Sequence, residues 1–162
     1  MNLEIIKPKS FTIKIGKTIY PLRYDLRAFA FIEENLNSVN EAVSLFNEKD
    51  LGAIAVMFQA GLLHVGADAY KLLKKVNLEE LIRTIAKAIS EVTCSDYGFD
   101  KEFDWSLLYF IAKPALNFSE EEFWNSTPKK ILTMMKMLEE MRKGKSTEIL
   151  TDNEAAKAFM SW

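Results

Sequence analysis

The run Asp50-Leu-Gly-Ala-Ile-Ala-Val-Met-Phe-Gln-Ala-Gly-Leu-Leu-His64 decides how the rest of the chain must be arranged. Asp50 suits a helix N-cap, because its carboxylate can take a backbone N–H of the first turn. From Leu51 onward the residues are apolar on nearly every side, so the spacing predicts a helix to about His64 that other elements surround. The wider stretch Leu51–Ala67 is broken only by Gln59 and His64. It falls short of the roughly 20 apolar residues that cross a bilayer, holds three glycines and is flanked by Asp50 and Asp68. It is therefore expected to be a core helix and not a membrane span.

N-terminal to this helix, Phe11-Thr-Ile-Lys-Ile15 alternates with period two, Gly16-Lys17 suits a two-residue turn, and Thr18-Ile-Tyr20 resumes the strand pattern. An N-terminal β-hairpin is expected, with Pro21 limiting its length. Asp25 can cap a helix from Leu26 to about Leu36 that buries Leu26, Phe29, Ala30, Ile32 and Leu36. Ser38 with Glu41 repeats a capping-box spacing ahead of Ala42, Val43, Leu45 and Phe46. On the C-terminal side, residues 69–75 suit a short basic helical turn. Asn77 and Glu80 then start an amphipathic helix to about Val92, burying Leu78, Leu81, Ile82, Ile85, Ala88 and Ile89.

The periodic pattern stops from Thr93 to Phe103. We read 1–95 as a hairpin plus helical domain, 96–103 as a linker, 104–145 as a smaller C-terminal helical domain and 146–162 as a tail. A calcium loop starting at Asp96 would need glycine at its sixth position, where Lys101 stands. In the second unit Asp104 can cap a helix through Trp105, Leu107, Leu108, Phe110 and Ile111 that ends near Pro114. Ser119 and Glu122 form a capping box, and Phe118 and Phe123 stand at the staple positions on either side of it. Thr127 can cap a further helix with Pro128 at its first position, where the missing N–H costs nothing. That helix is expected to reach about Lys143 with Gly144 as its stop, followed by a short helix over 152–160. The fold class expected is mainly α: a helical bundle with a short N-terminal β-hairpin and a smaller C-terminal helical unit.

Composition narrows the chemistry. Of 162 residues 49% are hydrophobic and 27% charged, with net charge −2, so a core can form and an apolar surplus remains for partners. Residues 1–95 carry 12 basic and 11 acidic groups, and residues 104–145 carry 7 and 6. Neither part has the basic excess that nucleic acid asks for. Cys94 is the only cysteine, which excludes an internal disulfide and fits a reducing compartment. The N-terminus, with Glu4 among its apolar residues, does not read as a secretory signal. His64 is the only histidine and stands between leucine and valine, so it is expected at a core or edge position. The paired glutamates lie at helix starts or on solvated faces, and no phosphate loop, nucleophile elbow or metal-ligand spacing occurs. No enzyme chemistry, no metal and no cofactor are expected.

Residues 119–143 have the outline of a helix-turn-helix, which makes a DNA-binding regulator one alternative. A recognition helix presents polar and basic groups near its start, whereas Lys129 and Lys130 are followed by Ile-Leu-Thr-Met-Met-Lys-Met-Leu-Glu-Glu. Ile131, Leu132, Met134, Met135, Leu138 and Met141 share one side, and Met137 falls off that stripe and widens it. Methionine adapts to irregular apolar partners. Phe123 and Trp124 are adjacent and so point in different directions, so that one can fill the core while the other meets a second molecule or a neighbouring helix. Phe123, Trp124, Thr127, Pro128, Met134, Met137 and Met141 are the candidate partner-binding residues.

Phe-Trp-Asn-Ser-Thr-Pro at 123–128, between an acidic helix start and an amphipathic helix, resembles the C-terminal part of tail assembly chaperones of long-tailed bacteriophages. The family run is a Phe-Trp pair, two variable residues and Thr-Pro. Ile15-Gly-Lys-Thr-Ile-Tyr-Pro-Leu-Arg-Tyr-Asp-Leu-Arg-Ala-Phe29 with Ile32-Glu-Glu34 is similar to the entry of the same proteins in phages of Gram-positive hosts. The likeness spans most of 11–145. It implies a non-enzymatic helper of the host cytoplasm, absent from the mature virion. In that family a short form coats the tape measure protein, and a frameshifted longer form adds a domain that recruits the major tail tube protein. By resemblance 1–95 is the tape-measure-binding part and 104–145 the tube-recruiting part, with self-association left open. A structural component of the virion is the remaining alternative.

Overall fold

The computed structural model describes residues 11–93 and 104–159, with side chains described through 143. The linker expected at 96–103, Cys94 and the last three residues of the tail lie outside the described residues. Among those described, a two-stranded hairpin precedes eight α-helices, a mainly α fold with a short N-terminal β-hairpin as expected. Strands β1 (Phe11–Ile15) and β2 (Thr18–Leu22) pair antiparallel with Ile15 opposite Thr18. Gly16 takes φ +62° at the first turn position, a conformation that glycine adopts without strain.

Pro21 does not end β2, which runs on to Leu22. In a two-residue hairpin the pair flanking the turn is hydrogen-bonded and the pairs alternate from there. Pro21, opposite Thr12, therefore falls at a position whose N–H would point away from β1. No ladder bond is lost. Ile13, Ile15 and Leu22 face inward and are buried, giving the hairpin the helical support that a lone pair of strands needs.

Helices α1 (Leu26–Leu36), α2 (Val39–Asn47) and α5 (Leu78–Val92) gather around α3 (Leu51–Leu62). As the sequence demanded, α3 is buried on almost every side from Ala53 onward. A 3₁₀ turn over Leu63–Val65 ends it and Gly66 reverses the chain in the left-handed region, so the α-helix stops two residues short of His64. Gln59 holds this reversal: its amide donates to the Ala67 carbonyl at 3.0 Å and its oxygen accepts the Ala69 N–H at 2.9 Å. The short α4 (Ala69–Leu73) starts there, capped by Asp68. The single polar residue within the apolar stretch of α3 is thus a structural clasp. Leu78 was expected to be buried but is 40% exposed; it lies in the first turn of α5, before the helix reaches the core.

The second half comprises α6 (Trp105–Phe110), a π turn (Ile111–Ala115), α7 (Glu120–Trp124) and α8 (Pro128–Phe159). Gly144 does not stop α8, and the separate helix expected over 152–160 is absorbed into it. A glycine inside a helix costs only ~1 kcal/mol relative to alanine. No proline follows Gly144, and residues such as Glu148, Leu150 and Glu154-Ala-Ala-Lys157 favour continuation. Two apolar clusters result. The larger surrounds α3; the smaller joins Leu108, Ile111, Ala112, Phe123 and Ile131 with Leu26 from the start of α1.

Candidate interaction surface

The surface is built on α6, the π turn and the α7–α8 corner. Asp104 caps α6 by accepting the Leu107 N–H at 2.9 Å. Pro114 cannot donate to the carbonyl four residues back and its ring would clash there. The helix therefore widens into a π turn closed by Leu116 N–H to the Ile111 carbonyl at 3.1 Å. Asn117 then turns the chain at φ +55°, a region asparagine tolerates. Through this geometry Leu108, Ile111 and Ala112 are buried, while Leu107 and Phe110, both expected as helix apolar residues, are 53% and 70% exposed.

The capping box forms as expected. Ser119 Oγ accepts the Glu122 N–H at 3.2 Å, and the Glu122 carboxylate accepts the Ser119 N–H at 2.8 Å and its hydroxyl at 2.7 Å. Those bonds, the backbone one foremost, hold the Glu122 carboxyl below the usual glutamate range. Glu120 is lowered too, mainly by the hydrogen bond from the Tyr109 hydroxyl and then by that from Trp124 Nε1. Depressed carboxyl pKa values give stability that is present above the unfolded value of about 4.3 and is lost as pH falls through the folded value. Acidification below about pH 4.3 is therefore expected to loosen α7. Carboxyl titration and α7 amide exchange followed by NMR would check this; Glu120 and Glu122 titrating at the unfolded value would contradict it.

Phe123 is 1% exposed and forms edge-to-face pairs with Tyr109 and Trp124, at centroid distances of 5.1 and 5.0 Å. Phe118 packs against the same cluster, and Lys130 Nζ lies 5.4 Å from its ring. Trp124 is half-buried, 6.2 Å from Trp105, with its indole N–H bonded to Glu120 Oε1 at 2.7 Å. Thr127 is half-buried and caps α8, its Oγ1 accepting the Lys130 N–H at 3.2 Å, and Pro128 is buried at the first position of α8. Of the expected apolar stripe on α8 only Ile131 is fully buried. Leu132, Met134, Met135 and Leu138 are half-buried, as is Met137 off the stripe, and Met141 is 63% exposed.

The corner thus brings Phe123, Trp124, Thr127 and Pro128 together, with the methionines leading away along α8. Leu107 and Phe110 were not singled out as binding residues. They lie on the side of α6 away from buried Leu108, Ile111 and Ala112. His64, in the turn after α3, has its pKa lowered by partial burial and then by Arg23, so its ring stays neutral near pH 7. Among the described residues no group of three or more histidine, cysteine or acidic side chains is placed to hold a metal ion, and no helix is long and apolar enough to cross a membrane. Comparison with protein-family models, with curated proteins and with solved structures returned no match.

Proposed function

We propose that this chain is a non-enzymatic tail assembly chaperone that keeps a tape measure protein soluble and recruits the major tail tube protein in the host cytoplasm, leaving before the virion is complete. The observation that carries the reading is the exposure of Leu107 and Phe110 on α6, in the same small unit as the half-buried Trp124 and the exposed Met141. Large apolar side chains left in water in this way suit a protein whose work is to cover another protein's apolar surface. The likeness of Phe123–Pro128 and of the N-terminal run to the chaperone family supplies the identity of the partners. The DNA-binding alternative draws less support. Lys129, where a recognition helix would begin, faces Glu91 at 3.6 Å, and Lys130 lies over the Phe118 ring.

Trp124→Ala is expected to weaken capture of the tube protein at least tenfold in a co-purification assay, the loss expected when an aromatic anchor is truncated at an interface. The helical circular dichroism signal should stay nearly intact, since Trp124 is only half-buried. Unchanged capture, or collapse of the fold, would remove Trp124 from the docking surface.

A further inference from the structure

The two halves of the described chain meet across a junction with an unusual make-up. Leu26 is the one fully buried residue of 11–93 in the smaller cluster, and Trp105 is the one residue of 104–143 packed against the larger cluster, among the described residues. Polar bonds join the halves as well. Arg23 Nη2 donates to Asn125 Oδ1 at 3.0 Å, Trp105 Nε1 donates to Glu33 Oε2, and Lys129 Nζ lies 3.6 Å from Glu91 Oε1. Among the described residues the backbone adds one link, from the Leu26 N–H to the Ser126 carbonyl at 2.9 Å. Interfaces between units of one chain resemble transient complexes unless they are large and hydrophobic, and relative motion is then the default.

We infer that this junction is a clasp: residues 104–143 undock from α1 and α5 while both halves stay folded, uncovering Leu26 and Trp105. The closed form conceals this apolar patch, and the open form offers it beside the Glu33 and Glu91 carboxylates.

One amide reports the clasp specifically. Leu26 is the first residue of α1, where the N–H has no partner within the helix. The Asp25 side chain takes the Ala28 N–H, and the Ser126 carbonyl across the junction takes that of Leu26. Hydrogen exchange on the full chain should therefore show Leu26 opening well before the α3 amides. The Leu116 and Phe118 amides, bonded to Ile111 and Ala112 within the second unit, should remain protected while it does. Glu33→Ala with Lys129→Ala should speed Leu26 exchange on the order of tenfold, the effect of losing two partly exposed charge-assisted contacts, and leave α3 unchanged. Leu26 exchanging only together with α3 would show one rigid body. Leu26 opening together with Leu116 and Phe118 would show that the second unit unfolds in place of undocking. Either result overturns the inference.

Discussion

Replacing Phe123 with alanine is expected to cost about 3–5 kcal/mol of stability, concentrated in the second half of the chain. The ring is almost wholly buried between Tyr109 and Trp124, in a cluster whose other buried members are Leu26, Leu108, Ile111, Ala112 and Ile131. Few neighbours are available to collapse into the space. α6 and α7 have six and five residues, too few to persist as isolated helices, so their order depends on this cluster. Urea unfolding followed by Trp105 and Trp124 fluorescence should show an early transition that α3 amide exchange does not share. A loss below about 1 kcal/mol, the range of ordinary surface substitutions and small trims, would mean that Phe123 is not the centre of this core.

Tyr24→Ala is expected to be as costly, again about 3–5 kcal/mol, but it strikes the larger core. Tyr24 is fully buried with its hydroxyl donating to the Met57 carbonyl at 2.8 Å, and burial pushes the phenol far above its usual pKa, so it stays neutral. Its seat depends on Gly61: a Cβ there would come within 2.9 Å of Tyr24 Oη and 3.0 Å of Cζ. Gly61→Ala should therefore cost about 1–3 kcal/mol by overpacking, although alanine is the better helix former. The pair gives a double-mutant cycle. In a Tyr24→Phe background the nearest atom is gone, so Gly61→Ala should cost less, with the ring carbon still preventing full relief. Strict additivity in thermal or urea unfolding would contradict this contact.

Much of this architecture is written locally. Asp25, Ser38, Asp50, Asn77, Asp104, Ser119 and Thr127 each accept the N–H three residues on, and every one was legible because a cap involves only its own turn. The box expected at Ser38 is only half made, since Glu41 turns to the Asn37 side-chain amide. What the sequence withheld depends on distant partners. Glu33 reads as part of a solvated glutamate pair until Trp105 is brought to it across 72 positions. Leu26 fits the apolar stripe of α1, yet its side chain serves the second cluster. Gly144 looks like a stop because glycine commonly ends helices, but a C-cap needs the chain to turn there, and the residues that follow keep it helical.

At the candidate surface the aromatic corner was readable and its division of labour partly so. Phe123 and Trp124 were expected to point different ways, and they do, one fully buried and the other half-buried. The exposed side of α6 was not readable, because Leu107 and Phe110 look no different in sequence from their buried neighbour Leu108. In the fold Leu108 shares a face with Ile111 and Ala112, three and four residues on, and Leu107 and Phe110 fall on the other side.

The proposed role, keeping an aggregation-prone partner in solution, comes down to one assay. It is tested most directly by producing a tape measure protein with and without the chain and measuring the fraction left in the supernatant after sedimentation. The tape measure protein should be largely pelleted alone, and soluble and co-eluting with the chain when the two are made together. A tape measure protein that is equally insoluble in both cases, with the chain eluting by itself, would contradict it.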